Sequence, residues 1–300
     1  MKTKIFIFAF FASVFSAMGQ NDIQLSQQSF TRLYYNPAAT GQNDGSVFNF
    51  LTRYQWVNVN DAPVTMLANY QHYFPKLHFA TGVNVVNDKL GLENNYNIKA
   101  AYSYRIYTSE NSFLSMGIGA GVLSKNIDFG RIVFEDAEPT NYTFENKWKP
   151  DFDAGLEMNW KNLTVGTSVT HINNSENASN LYTVPRHYYF YTRGIIPVNE
   201  QFVLSPAFSV NSCSYRTQYE FNLSSFTNNT LYTGLSYRLN ESFVVLAGVQ
   251  INQTFRINYS FDMNAGSLNN TMSGGSHEIL LQIKLGGKSD VVQPSPRFFD

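Results

Sequence analysis
The 300-residue chain has one cysteine, Cys213. That excludes an internal disulfide and a cysteine-ligated zinc cluster. No Cys–His arrangement lies near it, so the thiol reads as a small strand side chain and not as a nucleophile. Charge is also scarce, at 14% of residues against about 25% in ordinary soluble domains. The 21 basic and 22 acidic residues leave a net charge of −1, which argues against a basic nucleic-acid-binding surface. No run approaches the ~18 consecutive apolar residues of a bilayer-crossing helix. The histidines His72, His78, His171, His187 and His277 are scattered, without the spacing of a metal motif. No metal or other cofactor is expected. Aromatic residues, by contrast, are plentiful, with 25 Phe and 19 Tyr, and with the low net charge they exclude a disordered chain.

The first residues read as an export signal. Lys2 and Lys4 precede an apolar core over 5–15, and Ala17 and Gly19 supply the small residues of a cleavage site. Cleavage after Gly19 leaves Gln20 as the first mature residue. The apolar core is too short to span a bilayer, and no cysteine follows it to carry a lipid.

The body of the chain alternates. Over 253–264, Phe255, Ile257, Tyr259 and Phe261 interleave with Arg256, Asn258, Ser260 and Asp262. Period two gives one apolar face and one polar face. Segments 48–56, 95–106, 242–251 and 278–285 repeat the pattern. The runs last about 9–12 residues, the length of a tilted bilayer-crossing strand, whereas soluble strands average about 5–6. Aromatics crowd the run ends at Tyr102/Tyr104, Tyr188 to Tyr191 and Tyr232/Tyr237, as interfacial girdles would. On this reading the outer face rejects a charge at Ile257 and the lumen accepts one at Asn258.

Fourteen such runs can be counted: 46–58, 62–73, 76–87, 95–107, 112–126, 150–160, 162–171, 187–196, 201–211, 215–224, 230–239, 242–251, 253–264 and 275–286. The expected fold is all-β, a single transmembrane antiparallel barrel of about fourteen strands, within 12–16. The longest connections, 127–149, 172–186, 88–94 and 265–274, all follow odd-numbered runs and so share one side. Long outside and short inside is the asymmetry of an outer-membrane barrel. The organisation is then a signal over 1–19, a non-barrel lead-in over 20–45 that plugs the lumen or packs at its rim, a barrel over 46–286, and a periplasmic tail over 287–300.

Several motifs stand in order along the chain. Gln24-Leu25-Ser26-Gln27 comes first, then Leu33-Tyr34-Tyr35-Asn36-Pro37-Ala38-Ala39-Thr40-Gly41, then Arg53-Tyr54-Gln55-Trp56, then Asn87-Asp88-Lys89-Leu90-Gly91. Ser276-His277-Glu278 opens the last run, and Pro296-Arg297-Phe298-Phe299 closes the chain. Together they resemble the PorP/SprF family of Bacteroidetes outer-membrane proteins over nearly the whole mature chain, although 127–186 carries no recognisable motif. The resemblance implies a place in type IX secretion or gliding motility. It implies help in secreting and attaching a large adhesin-like cargo at the cell surface, without being the translocon. A porin-like channel for small solutes and a secreted β-protein are the other readings of the same pattern.

Candidate residues follow from position. Arg53, Arg105, Arg238 and Arg256 sit at lumen-facing positions and can form an ionic network with Asp262 and Glu278. The loop 127–149 mixes Glu135 and Asp136 with Phe129, Phe134, Tyr142, Phe144 and Trp148, a composition suited to a protein partner or to a folded lid over the barrel. Partners are therefore a secreted surface protein, outer-membrane lipid and a periplasmic or peptidoglycan-associated envelope protein. Asn87 to Gly91 reads as a turn, and Gly117, Gly119 and Gly121 as close packing or a bend in the wall. No enzyme is expected, because His277 and Glu278, adjacent on a strand, face opposite sides. If the topology holds, single cysteines placed in 127–149 or 172–186 of a Cys213→Ser background react with an impermeant thiol reagent on intact cells. A cysteine at Ser289 does not, and the reverse pattern inverts the topology.

Overall fold
The computed structural model describes residues 22–42, 45–128, 145–173, 184–214, 216–265 and 274–286. Most of them enter one antiparallel sheet. Its strands are β1 (Gly45–Tyr54), β2 (Val64–Phe74), β3 (Phe79–Leu90), β4 (Glu93–Ser109) and β5 (Ser112–Ile127). Next come β6 (Glu145–Trp160), β7 (Leu163–Thr170), β8 (His187–Gly194), β9 (Ile196–Pro197) and β10 (Phe202–Cys213). The last are β11 (Arg216–Thr227), β12 (Leu231–Arg238), β13 (Ser242–Gln250), β14 (Phe255–Asn264) and β15 (Ser276–Leu285). β9 continues β8 along β10, so the segments make fourteen staves. The break falls where Gly194 meets Pro206 of β10, a residue with no N–H to give to a ladder. β15 pairs with β1 from Ser46↔Leu285 to Tyr54↔His277, and the sheet is a closed barrel.

Both barrel termini, the start of β1 and the end of β15, lie at one end, called here the base. The base connections 75–78, 110–111, 161–162, 198–201, 228–230 and 251–254 are short. The opposite end, the rim, carries the long ones. Two expected boundaries change. The 88–94 segment is strand on both sides of a two-residue turn, Gly91 and Leu92, because β3 and β4 pair as far as Leu90↔Glu93. The end of 127–149 is also strand: β6 starts at Glu145, opposite Ile127. β5 and β6, at 16 residues each, are about 50 Å long at ~3.3 Å per residue. They outreach the ~25 Å apolar band of such a barrel and extend well past the rim. The expected signal over 1–19, the tail 287–300, and the connections over 129–144, 174–183 and 266–273 lie outside the described residues.

The alternation sorts the faces. On β14, Phe255, Ile257 and Tyr259 are exposed outside, while Arg256, Asn258, Ser260 and Asp262 are buried inside. On β4, Tyr96, Ile98, Tyr102, Tyr104 and Ile106 face out and Lys99, Ser103 and Arg105 face in. Outer aromatics stack at the base, Phe74 on Phe79 and Phe79 on Tyr102, at 4.7 and 5.6 Å between centroids. The aromatic run ends do not all form girdles, however. Tyr189, Tyr191 and Tyr232 alternate inward and pack against the chain that fills the lumen. Asn258 is likewise fully buried, so the lumen offers no water to a charge there, and the expected tolerance at 258 does not hold.

The outer face therefore gives the cleaner test. Ile257→Arg should destabilise the barrel by about 2–4 kcal/mol in lipid vesicles, and Ile257→Leu by less than about 1.5 kcal/mol. Urea unfolding of both variants measures the difference, and equal costs would reject the assigned face.

Candidate functional site
The lumen is occupied by the chain's own residues 22–42. They begin near the rim, where the Asp22 N–H donates to His187 Nε2 at 3.1 Å. They end near the base, where the Gly41 N–H donates to Gln71 Oε1 at 2.7 Å. Between these points lie one helical turn, α1 (Arg32–Tyr35), and a 3-10 turn over Pro37–Ala39. Asn36 caps the 3-10 turn by accepting from the Ala38 N–H at 2.8 Å. Pro37 occupies the first position, where a missing N–H costs nothing.

So little regular structure leaves backbone carbonyls needing donors. Small polar side chains of the wall supply them. Asn49 donates to Phe30 O, Asn84 to Leu33 O, Ser168 to Tyr35 O, Ser115 to Ala38 O and Ser103 to Thr40 O, at 2.7 to 3.2 Å. Glycines let the plug approach. A Cβ on Gly117 would lie 2.3 Å from Ala38 N, and one on Gly155 2.0 Å from Asn36 Oδ1. The Leu33–Gly41 motif is thus the stretch of plug that lies against the wall.

An ionic clamp fixes the upper plug. Glu278 accepts from the backbone N–H groups of Ser26 and Gln27 at 2.9 and 2.8 Å, and from Arg53 at 3.2 Å. The Ser26 hydroxyl donates to Asp262 at 2.7 Å and accepts from Arg53 and Arg238 at 2.9 and 2.8 Å. Both guanidinium groups also reach Asp262, at 2.6 and 2.8 Å, and Arg238 pairs with Glu220 at 2.8 Å. Lower down, Arg32 pairs with Glu157 at 3.1 Å, and Tyr191 donates to the same carboxylate.

A second polar cluster holds the start of the plug. The Asp22 carboxylate accepts from Tyr34 at 2.5 Å and Tyr189 at 2.6 Å, and lies 3.7 Å from His171 Nε2. Burial pushes the Asp22 carboxyl up, but the His171 contact, the His187 and His171 charges and the Tyr189 hydroxyl hold it well below the usual range. Burial and Lys99 push His171 down, and its bonds to Asp151 and Asp22 more than reverse this, raising it to about 9.

Of the six residues expected to form the lumen network, Arg53, Arg238, Asp262 and Glu278 meet in the clamp. Arg105 lies near the base, donates to Gly41 O, and packs between Tyr73 and Phe113 at 4.0 and 4.5 Å. Arg256 lies over Phe30 and Phe226 at 5.1 and 5.6 Å. The later motifs build the rim. Gln55 N–H donates to Pro63 O, and Trp56 N–H to Ser276 Oγ. Asn87 bonds Asn94, Asp88 accepts from Thr65, and Gly91 N–H donates to Asp61 O. Ser276 and Glu278 face in while His277 faces out to Tyr259 at 2.7 Å. Trp148 is a β6 residue, 54% exposed on the outside of the wall. The other partner-loop candidates, Phe129, Phe134, Glu135, Asp136, Tyr142 and Phe144, lie outside the described residues.

Sequence reading missed Asp22, Glu220 and the His171–His187 pair, and had Ser26 only as a motif residue without a role. Strand parity could have flagged Glu220 and His187. Asp22 and Ser26 precede the alternating region, and His171 with His187 are 16 positions apart in sequence although their rings lie 6.0 Å apart.

The family model for the type IX secretion system membrane protein PorP/SprF matches residues 17–283. No curated protein matches. Among solved structures, the Ralstonia pickettii toluene transporter TbuX superposes with a TM-score of 0.55 at 11% identity, over 85% of this chain and 94% of that one. The CymD monoaromatic hydrocarbon channel gives 0.53 at 12%, over 89% and 94%. A Pseudomonas aeruginosa FadL homologue gives 0.50 at 10%, over 84% and 92%. At such identities the likeness is one of fold.

The clamp makes a sharp prediction. Glu278→Gln weakens the acceptor for the Ser26 and Gln27 amides and for Arg53, which keeps Asp262; it should cost about 1–3 kcal/mol and lower the temperature at which the folded barrel changes gel mobility. Gly117→Leu should displace the plug and admit ions across a planar bilayer. Unchanged mobility and silent bilayers would show that plug and wall are not coupled.

Proposed function
The chain belongs to the PorP/SprF family of type IX secretion system membrane proteins, and from that membership we propose that this outer-membrane barrel is a secretion accessory. In this reading it assists export of one adhesin-like cargo and holds it at the cell surface. The observation that carries the reading is the lumen packed by residues 22–42, with Glu278 at 0% exposure beneath Ser26. A cargo chain has no path through such a barrel, so the contribution is docking and not conduction. The rim then faces the exterior and presents the connection after β5, rich in Phe, Tyr, Asp and Glu. The base faces the periplasm, where the tail 287–300 can meet a peptidoglycan-associated envelope protein.

A channel for small solutes is the second reading, favoured by a cavity between the plug and the inner faces of β8, β10 and β11. Arg32, Tyr35, Tyr189, Arg193, Glu220 and Tyr232 line it. Its volume of about 60 Å³ is well below the ~150 Å³ that accommodates a benzene ring. Passage of a solute through it requires the plug to move.

Deletion of residues 130–143 should leave the barrel in the outer membrane and release the surface protein into the medium, read by immunoblot of both fractions. Normal attachment after deletion removes that connection from the mechanism. A steady conductance from the wild-type barrel in planar bilayers would favour the channel.

A further inference from the structure
We propose that Asp22, His171 and His187 form a site for one divalent transition-metal ion of the zinc class, pinning the first residues of the plug to the rim. A carboxylate oxygen and one ring nitrogen from each histidine lie within 4.8 Å of one another. Zinc at ~2.0–2.1 Å from nitrogen and oxygen ligands sets those atoms about 3.4 Å apart in a tetrahedron. The His171–Asp22 separation of 3.7 Å is already close to that. Asp22 sits on the plug, outside the sheet, and is the ligand best placed to close the rest.

The surroundings are those that metal ligands need. A ligating imidazole gives its other ring N–H to a carboxylate or a carbonyl, which fixes its tautomer and aims the free nitrogen. Both histidines do this through Nδ1, His171 to Asp151 at 3.0 Å and His187 to Pro185 O at 3.1 Å. Both Nε2 atoms then point to the same residue: His171 Nε2 towards the Asp22 carboxylate and His187 Nε2 to its N–H. The carboxylate is in turn oriented by the Tyr34 and Tyr189 hydroxyls. A bound ion takes the His187 lone pair in place of the Asp22 N–H, a shift of one plug residue.

Charge favours the same conclusion. Asp151 and Asp153 share Lys99 at 2.8 Å each, and Asp153 accepts from the His171 N–H at 3.1 Å. Ligation requires neutral imidazoles, so an entering ion displaces the proton that His171 shares with Asp22; these two carboxylates and Asp22 against one ammonium then leave two negative charges, the charge of one divalent cation. Two imidazoles and one carboxylate suit zinc and its first-row neighbours, while calcium and magnesium prefer all-oxygen sites. The site is independent of the cargo reading above, and either can fail alone.

The mature chain folded in detergent, stripped with chelator, is titrated with zinc chloride by calorimetry, with cobalt(II) absorption as a second probe. One equivalent should bind. Asp22→Asn and His171→Gln should weaken binding by at least about 100-fold, and Asp151→Asn, which only orients His171, by about 10–100-fold. Heat-modifiable gel migration confirms that each barrel is folded, and Asp22→Asn, off the wall, decides the matter if a histidine variant misassembles. No zinc binding by the wild type, or equal binding by wild type and Asp22→Asn, overturns the site.

Discussion
A barrel in lipid must put its apolar residues outside, so the polar half of every strand is driven inward. There it needs partners as much as any buried polar group does. The rest of this molecule follows from that requirement. A ring of fourteen staves encloses more space than its own side chains fill, and the Ser, Asn, Arg and carboxylate groups lining it would otherwise face a narrow column of water. Residues 22–42 answer the need from the other direction. They have backbone carbonyls and N–H groups without regular structure to absorb them, and the wall has donors and carboxylates to spare. Plug and wall each satisfy what the other leaves unpaired.

The energetics explain why the clamp is concentrated at Ser26. A buried ion pair contributes little when compared with apolar packing, but removing one member exposes the full desolvation cost of the other. Arg53 and Arg238 both converge on Asp262, and a single serine hydroxyl sits among all three. Such a group fixes position more than it adds stability. It defines where the plug must lie, because the Ser26 hydroxyl sits between guanidinium groups and carboxylate with both its donor and acceptor roles used. Gly117 and Gly155 do the same for the lower plug by shape, the first admitting the Pro37–Ala38 backbone and the second the Asn36 side-chain amide.

Much of the fold was legible in the residue pattern. Strand count, face and the end that bears long connections all follow from period-two alternation, which a lipid-facing wall enforces at every position. Boundaries were less legible at β3–β4 and β5–β6, because strands that project past the rim no longer alternate against lipid. The site was half legible. Arg53, Arg238, Asp262 and Glu278 lie on strands, and parity alone turns them inward. Ser26 and Asp22 lie on a segment with no period, and its course through the lumen depends on partners up to 252 residues away. Tyr189 and Tyr232 were misassigned to the girdles because aromatic composition does not distinguish a lipid interface from a packed lumen, whereas parity does.

That separation bears on the order of assembly. The plug leaves the ribosome first, yet Glu278, which receives the Ser26 and Gln27 amides, belongs to the last strand, β15. Asp262, the other anion of the clamp, comes from the strand before it. The clamp therefore does not exist until the final hairpin is in place, and that hairpin is also the one that joins β1 and closes the ring. Completion of the Ser26 clamp and circularisation of the sheet thus depend on the same hairpin. A nascent barrel with an unfinished seam is, for the same reason, one whose plug is unclamped at Ser26 and Gln27.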